Sequence, residues 1–233
     1  MPTLLPDMSL PQWQFFIKEV YEVPNNRHFE SGEMLDHIQR FAMRGLKGIR
    51  KKDIIQIRKN LIISLSFFTS LMNRLQINIE EEMWRRFPYV CSYCGKSPCV
   101  CKEIKPNKRQ EISVDNSKKP KTLNEFQMMF NMVYPPSSRI IEHAGVHLAE
   151  ELGEFSEVIW AYRASKSEED FEKVKIEAAD YLSCLIGVFN SLNLNLAEEI
   201  TKFYPKNCHA CGNSPCTCSY DIIKNYKINY APS

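Results

Sequence analysis

The chain has 233 residues, 44% hydrophobic and 25% charged, so it can bury one large core or two small ones. A net charge of +2 gives no electrostatic ground for nucleic acid as a partner. No apolar run reaches membrane-span length, and the first residues lack the basic start and apolar core of a signal peptide; a cytoplasmic protein with reduced thiols is expected, with no membrane partner.

In chain order, SLPQWQFFIKEVYEVPNNR (9–27) opens the chain, and 33–48, 51–76 and 78–87 read as helices. The stretch LIISLSFFTSLM (61–72) is short and carries hydroxyls, which suits a buried helix. KGIRKK (47–52) reads as a solvated basic loop. Cys91, Cys94, Cys99 and Cys101 then bring four thiols into one loop spaced C-x2-C-x4-C-x-C. In a reducing compartment four thiolates form a tetrahedral Zn2+ site, whereas in an oxidising one they would make two disulfides. The polar, basic stretch 103–121 reads as a linker.

After it, Thr122 and Glu125 form a capping-box pattern leading into FQMMFNMV. The segment 140–163 carries one apolar stripe: Leu148, Leu152, Phe155, Ile159 and Tyr162. The segment 171–193 starts charged and turns apolar on nearly all sides, and 195–203 delivers the chain to a second loop, Cys208, Cys211, Cys216 and Cys218. Four cysteines leave no open position at either ion, so about two structural Zn2+ per chain are expected.

The second half repeats the first. LQINIEEEMWRRFPYVC (75–91) lies over LNLNLAEEITKFYPKNC (192–208) without a gap, and residues 9–27 resemble TLNEFQMMFNMVYPPSSR (122–139). The expected fold is all-α: a tandem-duplicated helical bundle with a four-cysteine zinc loop ending each half. Its parts are a repeat over 1–102, a linker over 103–121 and a second repeat over 122–233.

Only the second half carries EELGE (150–154) and EAAD (177–180). Glu151 and Glu154 are three apart on one helix, beside its apolar stripe, and Glu177 and Asp180 have the same spacing on the next. Taken alone, EELGE is an ordinary solvated helix face. Together, two neighbouring helices would aim four carboxylates at one another, which calls for a hard divalent cation, Mg2+ or Mn2+. His147, four residues before Glu151, falls on the carboxylate face and could touch phosphate or base; His143 is weaker. His209 is not needed as a thiol-loop ligand, and Cys184 reads as a small core residue.

E-x-x-E followed by E-x-x-D on the next helix resembles the MazG-like, all-α nucleoside triphosphate pyrophosphohydrolases, over about residues 140–207. Relatives of that family include dimeric dUTPases, dCTP pyrophosphatases and phosphoribosyl-ATP pyrophosphohydrolases. The resemblance implies an enzyme that converts a nucleoside triphosphate to the monophosphate and pyrophosphate with Mg2+. It implies that Glu151, Glu154, Glu177 and Asp180 bind Mg2+, and that Glu151 or its neighbour Glu150 takes the proton of the attacking water. Lys202, Lys206 and Asn207 are candidates to face the phosphates, and Trp160 and Tyr181 to stack on the base. The family pairs helices from two or more units, which a duplicated chain can imitate alone while leaving a further homodimer open.

On the ungapped register Asn60 stands for Glu177 and Ile63 for Asp180, so the first half has lost that pair; Glu33 and Asp36 are the candidate relic of the other. The competing expectation is a catalytically weak nucleotide sensor that uses the same metal site and its thiol loops. Nucleic-acid binding by the loops is not expected, because they hold few basic residues.

Overall fold

A computed structural model describes residues 3–138 and 140–224. Local chemistry places the helix ends. The hydroxyl of Ser9 accepts the Gln12 N–H while the Gln12 side chain accepts the Ser9 N–H, a capping box that starts α1 (Leu10–His28). α2 (Ser31–Lys51) stops at Lys52 in the left-handed region, and Asp53 then caps α3 (Ile54–Arg74) through the Gln56 N–H. Asn78 caps α4 (Ile79–Arg86). The second half uses the same devices: Thr122 starts α5 (Leu123–Val133), Lys166 ends α6 (Ile141–Ser165), Ser167 caps α7 (Glu168–Ser191) and Asn195 caps α8 (Leu196–Phe203). A short α9 (Tyr220–Lys224) follows the second cysteine loop. The expected capping box at Thr122 is half formed, because the Glu125 carboxylate accepts the Lys121 N–H instead. Among the described residues there is no strand, and no helix is long and apolar enough to cross a membrane.

The duplication is visible in hydrogen bonds. Gln14 donates to Asn73 Oδ1 and the Ile77 carbonyl, accepts the Ile79 N–H, and its own carbonyl accepts from the Asn73 amide. Gln127 does the same with Asn190, Leu194 and Leu196. Each glutamine thus fastens the first helix of its half to the turn between the third and fourth.

Long-range packing crosses between the halves. The hairpins α2–α3 and α6–α7 meet along α2 and α6, α4 of the first half lies on α7 of the second, and α8 lies on α3. One apolar core results, with Phe68 edge-on to Phe155 (5.4 Å) and Phe155 stacked on Tyr181 (5.7 Å). Buried hydroxyls bridge the seam: Ser64 Oγ to Tyr181 OH at 2.8 Å and Ser66 Oγ to Tyr204 OH at 2.5 Å. Tyr181 is therefore a core residue and does not face a base.

The cysteine loops cross as well. The Cys99 N–H donates to the Val133 carbonyl at the end of α5, and the Cys216 N–H donates to the Val20 carbonyl in α1, both at 2.8 Å. The stretch 103–121 is no free tether. Lys105 and Arg109 lie over the Tyr93 ring, Trp84 donates to Asn116, and Lys119 pairs with Glu80 and Glu81.

Candidate metal centres

Each cysteine loop turns on a glycine with positive φ, Gly95 at 63° and Gly212 at 71°, where a side chain would be strained. The Gly95 and Gly212 N–H groups close the turn on the carbonyls of Cys91 and Cys208. Within each loop the four sulfurs lie within 4.8 Å of one another. Cys91 and Cys101 are 3.8 Å apart, and Cys94–Cys99, Cys208–Cys218 and Cys211–Cys216 are each 3.9 Å apart. A disulfide requires about 2.05 Å. A tetrahedral ion with metal–sulfur bonds of about 2.3 Å requires an edge of about 3.8 Å. Backbone N–H groups of Tyr93, Cys101, Ala210 and Cys218 point at sulfurs from 3.4 Å, a pattern that steadies thiolate charge. The hydrogen bond from Cys216 pulls the Cys208 thiol down to about 4, and the same bond pushes Cys216 far up. The spacing of the four sulfurs in each loop is that of a tetrahedral site, so both loops can hold a metal ion.

The third centre lies between α6 and α7. Carboxylate oxygens of Glu151, Glu177 and Asp180 come within 4.8 Å of one another. Asp180 is buried, and one oxygen each of Glu151 and Glu177 is buried without a hydrogen-bond partner. Burial, then the charges of Asp180, Glu154 and Glu177, raise Glu151 to about 8; burial, then Asp180 and Glu154, raise Glu177 to about 7. Buried carboxylate oxygens that lack partners cost several kcal/mol, about the penalty a bound cation removes. The donor set therefore fits a metal ion.

Three of the four expected carboxylates meet. Glu154 is exposed one turn along α6 and acts on the trio by charge, outside the cluster of close oxygens. Glu150 is exposed and pairs with His147 at 3.3 Å, outside the cluster of close oxygens. His143 is exposed. Trp160 lies nine residues beyond Glu151 on the same helix, about 13 Å along its axis, under the Arg163 guanidinium.

Lys202, Lys206 and Asn207 are not brought to the carboxylates, because α8 crosses onto α3. Lys202 pairs with Glu198 and Glu199 of its own helix, Lys206 is exposed, and Asn207 donates to the Gly212 carbonyl inside its cysteine loop. His209 meets Tyr21 OH at 3.2 Å and the rings of Phe203 and Tyr204, outside the four-sulfur group. Cys184 is half-buried against the core.

Among the described residues, Arg86 from α4 of the first half bonds directly to the carboxylate centre. Its Nε donates to Asp180 Oδ1 at 2.9 Å and its Nη2 to Oδ2 at 2.5 Å. In sequence it stands over Phe203, so an arginine appears only in the repeat whose partner helix kept its carboxylates. That was the available signal. Arg109 in the docked stretch also lowers Glu177, after Arg86.

Counting back from the left-handed caps Lys52 and Lys166, the first-half places of Glu151 and Glu154 are His37 and Arg40. Glu33 and Asp36 are not the relic. Glu33 accepts the Glu30 N–H at the start of α2, and Asp36 is exposed. Asn60 bonds the Gln56 carbonyl and Ile63 is buried, so none of these four places in the first half holds a carboxylate.

No family model matches the chain, and no curated protein or solved structure matches it.

Proposed function

We propose that the chain is a Mg2+-dependent nucleoside triphosphate pyrophosphohydrolase of the MazG-like kind, forming a nucleoside monophosphate and pyrophosphate. The supporting observation is the Glu151–Glu177–Asp180 trio with its two buried, unpartnered oxygens. Those three residues would hold the ion, with Glu154 at the outer edge. When bound, Mg2+ (or Mn2+) supplies charge against the triphosphate and eases deprotonation of a nearby water. Of the two glutamates able to take that proton, Glu151 faces the trio and has raised proton affinity, whereas Glu150 faces His147. Water adds to the α-phosphorus, the bond to the bridging oxygen breaks, and pyrophosphate leaves. We assign Zn2+ to both four-cysteine loops as structural ions, about two per chain, in a reducing compartment such as the cytoplasm.

One observation favours a second reading, a nucleotide sensor: both Asp180 oxygens already accept from Arg86. A panel of NTPs and dNTPs with Mg2+, reading monophosphate and pyrophosphate separately, decides between them. Pyrophosphate release, lost in Glu151→Gln and Asp180→Asn, is the expected result. Mg2+-dependent binding without turnover selects the sensor, and neither binding nor turnover removes both.

A further inference from the structure

We infer that Arg86 is a displaceable counter-ion of the carboxylate centre: Asp180 exchanges it for a divalent ion, and the freed guanidinium pairs with the oxygens of the triphosphate. This rests on the proposed function, which it deepens by naming a phosphate-binding residue delivered by the other half of the chain.

Three observations carry it. The first is the fork. One guanidinium engages both oxygens of Asp180, and the two side chains are only 14% and 11% exposed. The same planar fork that fits a carboxylate fits a phosphate, and the group stays charged throughout.

The second is charge. Glu151, Glu177 and Asp180 form a compact acidic group, and the Arg86 guanidinium sits on one of its three members. A divalent ion held by Asp180 would face the guanidinium at close range, and like charges so placed in a half-buried site repel strongly. One cation must move, and the incoming polyanion offers Arg86 a new partner.

The third is the internal comparison. α8 crosses α3 as α4 crosses α7, with Phe203 at the place of Arg86 and Ile63 at the place of Asp180. The crossing is thus compatible with an apolar residue at that place, and the α8–α3 crossing is tied by an ion pair at another place, Arg58 with Glu199. It stands only where the carboxylates stand.

The test uses the full chain with Mn2+ alone and with Mn2+ plus inorganic tripolyphosphate, which carries no base. Calorimetry compares wild type, Arg86→Gln, Arg86→Lys and Asp180→Asn. In Arg86→Gln, Mn2+ should bind at least about tenfold tighter, because its competitor is gone, while tripolyphosphate should bind at least about tenfold weaker. Arg86→Lys, which keeps the charge and guards against a folding defect, should show the same directions at smaller size. In an Asp180→Asn background, Arg86→Gln should no longer change Mn2+ affinity. A tie that only fastens α4 to α7 would leave both affinities unchanged in well-folded Arg86→Gln, and that result overturns the inference while leaving the proposed function standing. Failure of wild type and every variant to bind Mn2+ overturns both.

Discussion

At the scale of single residues, Glu151 and His37 occupy matching places and show what the chemistry costs. Glu151 is raised to about 8 by burial and by its acidic neighbours. An acid whose folded pKa is raised destabilises the fold when ionised. The cost is absent below about pH 4.5 and complete above about pH 8. Without divalent ions at pH 8, Glu151→Gln should therefore melt about 3–6 °C above wild type, after discounting for partial exposure. It should also lose turnover and any stabilisation by Mg2+. A lower melting point than wild type would mean that Glu151 is a structural anion. His37 shows the opposite sign. Burial first, then Arg40, lowers it to about 4, with Glu33 opposing; Phe29, Phe41 and Phe67 surround the ring. A depressed histidine leaves stability intact above about pH 6.5 and removes it as pH falls towards 4. Between pH 7 and 4.5, wild type should lose about 2 kcal/mol more than His37→Phe in urea titrations. Equal losses would remove His37 as the cause.

At the scale of elements, the glutamine clamps on α1 and α5 make a paired experiment. Gln127→Ala would leave the Asn190 side chain and the Leu194 and Leu196 backbone groups short of partners inside the fold, at a cost of about 2–4 kcal/mol. Gln14→Ala should cost a similar amount, because its partners Asn73, Ile77 and Ile79 are set out alike. A large difference between the two urea midpoints would show that the halves are not held equivalently. The helices themselves were readable in the sequence, since caps such as Ser9, Asn78, Ser167 and Asn195 and the stripe on α6 depend on neighbours within one or two turns. The crossing of α4 and α8 was not readable. A buried stripe says that a face is covered, and it does not say by which helix. For that reason Lys202, Lys206 and Asn207 were expected to face the phosphates, whereas the crossing brings Arg86 to the carboxylates from the other repeat. The trio was legible because i,i+3 spacing on adjoining helices is local geometry, while the exposure of Glu150 and Glu154 depends on how α6 is rotated against α7.

At the scale of the whole molecule, the cysteine loops act between the halves. Native mass spectrometry should find about two Zn2+ per chain, and their removal should lower the melting temperature. An ion-free chain with an unchanged melting curve would end the zinc assignment. The crossed bonds sharpen this further. Cys211→Ser, which spoils the second loop, should speed hydrogen exchange along the C-terminal turns of α1, where the Val20 carbonyl holds Cys216, more than along α5. Cys94→Ser should do the reverse through Cys99 and Val133. Loosening confined to the mutated loop in each case would show that the bonds do not couple the halves.

That crossing also sets an order in time. On the ribosome α1 emerges well before its partner, because the loop that holds its Val20 carbonyl is made almost two hundred residues later. The repeat synthesised first therefore cannot complete its contacts by itself. It must wait, partly assembled, for the second cysteine loop to be translated, so the second copy is in effect the folding template of the first.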